Sequence, residues 1–137
     1  MRPIRLNLRR GGGRAVRRKP GEMNGLERRY ALLLDQQLEI GSILSFQHEA
    51  IKLRLAEKTF YEPDFLVVAA DEVIEIHEVK GSYRDKATGQ WKPFVEDDAA
   101  VKFKVAARLF PFRFRMVWFD TGKGIWCEDQ LATEALS

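Results

Sequence analysis

The stretch YEPDFLVVAADEVIEIHEVKG, residues 61–81, decides the fold of this chain. Two apolar runs, residues 65–69 and 73–79, stand on either side of a short polar turn, which predicts an antiparallel β-hairpin. Charged side chains nevertheless stand together at the open end of this hairpin. They are Asp64 before the first run and Glu78 and Lys80 at the end of the second. A rigid apolar hairpin would therefore hold three charges in one place.

The turn predicts which of these charges face each other. If it centres on Asp71, then Asp64 and Glu78 lie at equal distances from the centre and oppose each other across the two strands. Directly opposed carboxylates repel, and a hard cation that takes oxygen ligands removes that repulsion. Lys80 points the same way as Glu78, because strand side chains alternate between faces. We therefore expect one site formed by all three; the alternative is a surface hairpin that ends in an ordinary Glu–Lys pair.

These residue types suit the hydrolysis of a phosphodiester. A bound Mg²⁺ lowers the pKa of a coordinated water, and a lysine near that water stabilises the charge that develops in the transition state. A zinc site is not expected, because two histidines and one cysteine this far apart in sequence do not supply its usual ligands. His77 and Glu75 fall on the strand face opposite Glu78, so we expect them to pack or hydrogen-bond away from the site.

Periodicity along the rest of the chain predicts the order helix, three strands, helix, strand. The first helix begins after the N-cap Asn24 and ends before Gly41. The other predictions are an extended segment at 43–55 broken near 47–50, a loop at 83–93, a helix from Asp97 that ends at Pro111, a strand at 112–119 and a turn at 120–124. We therefore expect an α/β fold with a mixed central sheet, whose second helix crosses over between two strands.

Charge is divided unevenly along the chain. The first 20 residues carry eight basic side chains and no acidic one, which leaves 15 basic and 20 acidic residues for the remainder. This asymmetry predicts a polyanionic partner, most simply nucleic acid; a solvated tail without a fixed partner is the alternative. We expect residues 1–21 to form a flexible basic arm and residues 22–137 a single domain. No apolar run is long enough to span a membrane, which predicts a soluble, cytoplasmic protein.

Pro63-Asp64 followed by Glu78-Val79-Lys80 resembles the signature of the PD-(D/E)xK nuclease superfamily. The predicted order of elements is also similar to the restriction-endonuclease-like core of that superfamily. The likeness is greatest to small phage and mobile-element endonucleases of the Holliday-junction-resolvase and transposon-end-cleaving types. In these enzymes a helix glutamate precedes the motifs Y-x-PDF and E-V-K-G, and the matching residues here are Glu27, 61–65 and 78–81. The resemblance covers about residues 24–119.

This resemblance implies a Mg²⁺-dependent DNA endonuclease, with Mn²⁺ as a substitute and no other cofactor, encoded by a phage or a mobile element. It implies that Asp64, Glu78 and the backbone carbonyl of Val79 are metal ligands, that Lys80 is the catalytic lysine and that Glu27 completes the metal site. Cutting of branched or Holliday-junction-like DNA, by a homodimer, is also expected. The DNA-contacting residues would be Gln47, Lys102 (or Lys104) on the second helix, and Arg9, Arg10, Arg14, Arg17, Arg18 and Lys19 of the arm.

Two questions stay open at this stage. Asn24-x-x-Glu27 also matches a capping box, so Glu27 is either a helix cap or a metal ligand. The chain could instead be a non-catalytic nucleic-acid-binding module that uses its basic arm. The opposed carboxylates of Asp64 and Glu78 favour the nuclease, because binding alone does not require them. The sequence leaves the choice between DNA and RNA open.

Overall fold

A computed structural model describes residues 22–129. The predicted basic arm and residues 130–137 lie outside the described residues. Within them the chain is a mixed α/β fold of two helices and nine strands. The elements are α1 (Gly25–Ile40), β1 (Ile43–His48), β2 (Leu53–Ala56), β3 (Thr59–Tyr61), β4 (Phe65–Ala69), β5 (Ile74–Val79), β6 (Ser82–Arg84), β7 (Trp91–Pro93), α2 (Asp97–Leu109), β8 (Arg113–Asp120) and β9 (Ile125–Asp129). Neither helix is long and apolar enough to cross a membrane.

Five strands form the central sheet, in the order β1-β4-β5-β8-β9. β5 and β8 run parallel, and the other neighbouring pairs are antiparallel. A parallel pair requires a long crossover between its strands, and α2 lies in the connection between β5 and β8. The predicted mixed sheet and crossover helix are confirmed.

Local signals determine where α1 begins and ends. The side chain of Asn24 accepts a hydrogen bond from the Glu27 amide at 2.7 Å, and Glu27 Oε1 accepts one from the Asn24 amide at 3.0 Å. This reciprocal pair is a capping box, which satisfies two amides that have no partner inside the helix. At the other end Gly41 has φ of 82°, a left-handed conformation that ends the helix at little cost for glycine. Both predicted ends of the helix are confirmed.

The two helices pack on opposite faces of the sheet. Strand side chains alternate between these faces, so the sheet contributes to two separate cores. On one face the buried residues are Tyr30, Leu34, Ile43, Phe65, Val67, Val79 and Val117. On the other they are Leu53, Tyr61, Ile76, Phe103, Ala106, Ala107, Phe114 and Met116. α1 therefore covers the first face, and α2 together with the β2–β3 hairpin covers the second.

The β4–β5 hairpin has the predicted register. Phe65 pairs with His77 and Val68 with Ile74, so the pairing is symmetric about Asp71. At the turn Asp71 Oδ1 accepts a hydrogen bond from the Val73 amide at 3.1 Å, and Glu72 has φ of 69°. Side chains with short polar groups commonly stabilise turns in this way. The extension of this register places residue 64 opposite residue 78.

Two predictions of local structure are wrong in part or in full. The segment 43–55 is extended and is interrupted after His48, as predicted, but its two strands belong to different sheets and β2 pairs with the unpredicted β3. The predicted loop 83–93 contains β6 and β7, which pair with each other. The sequence pattern predicts no element after the 120–124 turn, and the chain there forms β9 at the edge of the central sheet. Strands of three to five residues show too few alternations to be separated from loops by sequence pattern, and their partners supply the missing constraint.

A chain of buried polar groups connects α1 to the sheet. The Tyr30 hydroxyl lies 2.6 Å from His77 Nδ1, and His77 Nε2 lies 2.9 Å from Glu75 Oε1. Burial raises the pKa of Tyr30, so its hydroxyl stays protonated at neutral pH and can donate to His77. The prediction that His77 and Glu75 turn away from Glu78 is confirmed.

The charge of Glu75 is balanced by two arginines of β8. Arg115 Nη2 lies 3.2 Å and Arg113 Nη1 3.5 Å from Glu75 Oε2. Burial alone would raise the pKa of Glu75, but the hydrogen bond from His77 and the two guanidinium charges outweigh it and hold the pKa below its usual range. The other guanidinium nitrogens contact Asp71 and Glu128. Both arginines are therefore engaged with carboxylates of the protein's own sheet.

Tyr30→Phe tests whether this chain of groups holds α1 on the sheet. The substitution leaves the buried His77 Nδ1 without its partner, so we expect the free energy of unfolding to fall by about 1–3 kcal/mol. Urea unfolding at neutral pH measures the change. Tyr83→Phe is the matched control. It also removes a tyrosine hydroxyl, but Tyr83 is 46% exposed, so the free energy of unfolding should change little. Equal stability of Tyr30→Phe and the wild type would contradict the assigned role.

Candidate active site

The charged end of the β4–β5 hairpin is a compact site. Asp64 immediately precedes β4, Glu78 is the penultimate residue of β5, and Lys80 directly follows β5. The Val79 amide donates a hydrogen bond to Asp64 Oδ2 at 2.8 Å. The side chain of Asp64 thus takes the place of a strand partner at the point where the ladder ends. The structure brings together the three residues that the sequence predicts as a site.

Two neighbours hold the Glu78 carboxylate. The Tyr61 hydroxyl donates a hydrogen bond to Oε1 at 2.6 Å, and Lys80 Nζ lies 3.1 Å from Oε2. Burial and the adjacent Glu78 raise the pKa of Tyr61, so Tyr61 remains a hydrogen-bond donor across the ordinary pH range. Charge-assisted hydrogen bonds of this kind are strong when they are shielded from water. Each oxygen of Glu78 therefore has a fixed direction.

Asp64 lies in an environment that disfavours its charge. Burial, then the charge of Glu78, raises its pKa to about 9, although the hydrogen bond from the Val79 amide acts in the opposite direction. Glu27 adds to the increase through its charge and a side-chain hydrogen bond. Carboxylates brought this close repel unless a proton or a cation lies between them. In the protein without metal, a proton on Asp64 relieves the repulsion.

Glu27 approaches this site from α1, on the other face of the sheet. It is 8% exposed, and its Oε1 lies 3.3 Å from His48 Nε2. The same oxygen accepts the capping-box hydrogen bond from Asn24. The cap is therefore present, and the side chain also acts on Asp64 through its charge and a hydrogen bond. These two roles do not exclude each other, because a carboxylate has two oxygens and about four acceptor positions.

The donor set has the composition that a Mg²⁺ site requires. Over residues 22–129, no group of three or more His, Cys, Asp and Glu side chains is placed to hold a metal ion. Mg²⁺ usually needs fewer, because it keeps several waters and binds through one or two carboxylates. Asp64 and Glu78 supply two carboxylates. The N–H and C=O of one strand residue point to the same side, so the carbonyl of Val79 faces the side on which its amide meets Asp64.

The other residues that the sequence predicts for the site are placed differently relative to Asp64 and Glu78. Gln47 pairs with Leu66, which pairs with Ile76, so Gln47 belongs to the next row of side chains on the Glu78 face of the sheet. Lys102 and Lys104 are both exposed on α2, and their contact with DNA stays a prediction. The arm residues Arg9, Arg10, Arg14, Arg17, Arg18 and Lys19 lie outside the described residues.

Sequence reasoning missed two members of the site. Tyr61 had no assigned role, although it stands in the Y-x-PDF pattern three residues before Asp64. A buried tyrosine beside a carboxylate pair is the signal that could have identified it. His48 also had no assigned role, yet its ring contacts Glu27 and packs 5.3 Å from the Phe65 ring. Its pairing with Phe65 across the ladder could only be found once β1 was paired with β4.

Comparisons with known proteins add no relative. No family model matches the chain, and no curated protein and no solved structure matches it either.

Asp64→Asn tests the electrostatic state of the site by its effect on stability. A folded-state pKa near 9, above the ordinary value of 3.8, means that the contribution of Asp64 to stability is greatest in acid and is lost as the pH rises through about 9. Asparagine keeps the acceptor for the Val79 amide and carries no charge. We expect the variant to exceed the wild type by at least about 1 kcal/mol at mildly alkaline pH, since one pKa unit is worth about 1.4 kcal/mol.

The measurement is urea unfolding with EDTA present, at several pH values between about 4 and 9. Asp71→Asn is the matched control, at the other end of the same hairpin. The backbone hydrogen bond from Val73, then the side-chain hydrogen bond from Arg113, lowers the pKa of Asp71, so its replacement should remove stability above acid pH. The two substitutions should therefore change stability in opposite directions. A loss of stability in Asp64→Asn at alkaline pH would contradict the repulsion described for the site.

Proposed function

We propose that this protein is a Mg²⁺-dependent DNA endonuclease of the PD-(D/E)xK type, with a restriction-endonuclease-like core. The observation that carries the proposal is the opposition of the Asp64 and Glu78 carboxylates, with Lys80 beside them, at the end of a buried hairpin. This arrangement costs stability in the absence of a cation. A carboxylate whose pKa is strongly raised by burial and by a neighbouring carboxylate, as that of Asp64 is, is characteristic of functional sites.

Asp64, Glu78 and the Val79 carbonyl would hold the metal, and Glu27 would complete its surroundings. The metal would neutralise the carboxylates, bind a phosphate oxygen and lower the pKa of a coordinated water. Asp64 must lose its proton to act as a ligand, because metal binding requires the ionised form.

Lys80 and Tyr61 would act on either side of the Glu78 carboxylate. Tyr61 donates to Oε1 and thereby fixes the rotation of the carboxylate. Lys80, whose side chain is 19% exposed, holds a positive charge at the mouth of the site. An ammonium group in this place would stabilise the negative charge that develops on the phosphate during hydrolysis. Because it contacts Glu78, its own position is fixed before the substrate arrives.

The proposed substrate is DNA, with branched or junction-like structures preferred. The basic residues of the arm would attract the polyanion through charge, independent of sequence. Recognition of DNA shape is part of this proposal. A homodimer would provide two sites for paired cuts. An origin in a phage or a mobile element is part of the same proposal and follows from the sequence resemblance.

The second candidate is a nucleic-acid-binding module without catalysis. Two contacts favour it: Lys80 already neutralises Glu78, and the capping box gives Glu27 a structural role. A binding module gives no reason for a buried carboxylate with a raised pKa at Asp64.

A cleavage assay distinguishes the two candidates. Branched, single-stranded and linear duplex DNA are incubated with the full chain and Mg²⁺ or Mn²⁺. We expect metal-dependent cutting, with a loss of at least about a hundredfold in Asp64→Asn and in Lys80→Met. Asp71→Asn should cut like the wild type, because Asp71 lies at the opposite end of the hairpin. DNA binding without cutting of any substrate would favour the binding module.

Glu27→Gln separates the two roles of Glu27 in the same assay. Glutamine can still close a capping box, whereas it removes the negative charge. A large loss of cutting with unchanged stability would assign Glu27 to the metal site. Cutting at the wild-type rate would leave Glu27 with the cap alone.

A further inference from the structure

Two small hairpins begin or end at residues of the proposed site. β3 ends at Tyr61, whose hydroxyl contacts Glu78. β6 begins two residues after Lys80, and the Phe94 amide beyond β7 donates to the Gly81 carbonyl at 2.8 Å. Neither hairpin belongs to the central sheet. Both therefore extend from the site, and their outward faces are available to a molecule bound there.

The β2–β3 hairpin has one apolar face and one basic, aromatic face. Tyr61 and Leu53 point inward and belong to the core beneath α2. Phe60 points the other way, is 43% exposed and pairs with Arg54 across the hairpin. Lys52 Nζ lies 5.9 Å from the centre of the Phe60 ring. The exposed ring thus has a lysine near it and an arginine as its cross-strand partner, one residue away from a side chain that contacts the site.

The β6–β7 hairpin also carries an exposed aromatic ring opposite a basic residue. Tyr83 is 46% exposed and pairs with Lys92 across the hairpin. Lys92 Nζ lies 2.8 Å from Asp85 Oδ2, which fixes the ammonium group on the hairpin. The carbonyl of Trp91 accepts a hydrogen bond from the Trp118 indole at 3.1 Å, which ties the hairpin to β8. The exposed ring is therefore carried on an anchored element.

The chemistry of both outward faces matches a single strand of nucleic acid. An exposed aromatic ring next to a cation can stack on a base while the cation contacts the neighbouring phosphate. Residues 51–62 hold three basic and two acidic side chains, and residues 82–94 hold three basic and one acidic, so both segments are net positive beside an acidic centre. Single exposed aromatics are common on protein surfaces. An exposed ring with a basic residue as its cross-strand partner, present on both hairpins, is the observation that requires an explanation.

We propose that Phe60 and Tyr83 are base-stacking platforms for unpaired nucleotides of the DNA strand that is cut at Asp64, Glu78 and Lys80. This inference rests on the proposed function and specifies its substrate: DNA that is single-stranded next to the scissile phosphate, as at a flap, a branch or a junction. The bases of a continuous duplex are stacked on each other and offer no free face to these rings. Arg54 and Lys92 contact the phosphates of the same nucleotides.

The experiment measures binding in EDTA, so that it does not depend on cleavage. The full chain is titrated against a fluorescent oligothymidylate of about 20 nucleotides and against a duplex of the same length. We expect Phe60→Ala and Tyr83→Ala each to weaken binding of the oligothymidylate by about tenfold, a loss of about 1.4 kcal/mol, and to change duplex binding little. Phe60→Tyr and Tyr83→Phe keep the ring and should bind as the wild type does.

Leu32→Ala is the control, because Leu32 is 63% exposed on α1 and carries no ring. It should bind both DNAs like the wild type. The inference is overturned if the two alanine variants bind the single strand as tightly as the wild type, or if their affinity for the single strand and for the duplex falls equally. It is also overturned if the wild type does not bind the oligothymidylate. Failure of the nuclease proposal would look different: no DNA would be cut with metal present, whatever the binding data show.

Discussion

The structure depends on the register of one hairpin. Symmetry about Asp71 places Asp64 opposite Glu78, and a shift by one residue would move one of these carboxylates to the other face of the sheet. The apolar strand residues enforce the register, because Phe65 and Val67 are fully buried beneath α1, while Ile76 is fully buried beneath α2. Burial on both faces leaves no alternative pairing that keeps the core intact. The free energy of core packing therefore holds together two groups that repel each other.

Contacts with other elements fix the orientation of the two carboxylates. The Val79 amide and the Tyr61 hydroxyl each direct one carboxylate oxygen, and α1 brings Glu27 to the same end of the sheet. The position of α1 depends in turn on the buried contact between Tyr30 and His77, which lies one turn from Glu27 on the helix and next to Glu78 on the strand. The polar groups on the two faces of β5 thus have separate tasks: one set supports the helix, and the other forms the site.

The hairpin, both helices and the crossover could be predicted because their signals are local: the capping box, the stop at Gly41, the alternation of β5 and the proline after α2. The same signals were sufficient for Asp64, Glu78 and Lys80, since one turn determines their relative positions. Tyr61 and His48 could not be assigned, because the side chains that they contact, Glu78 and Glu27, lie on elements 17 and 21 residues away in the sequence. Pairings of short strands are decided by the surfaces that they cover, and sequence periodicity contains little information about them.

We propose that the opposed carboxylates of Asp64 and Glu78 hold a divalent cation. Anomalous diffraction from crystals of the protein soaked in Mn²⁺ tests it most directly, because manganese identifies itself by its anomalous signal and takes the oxygen ligands that Mg²⁺ prefers. We expect a single strong peak within about 2.2 Å of carboxylate oxygens of both Asp64 and Glu78, and its disappearance in Asp64→Asn crystals. A saturating soak that leaves this position without a peak, or places manganese only at other carboxylates, would contradict it.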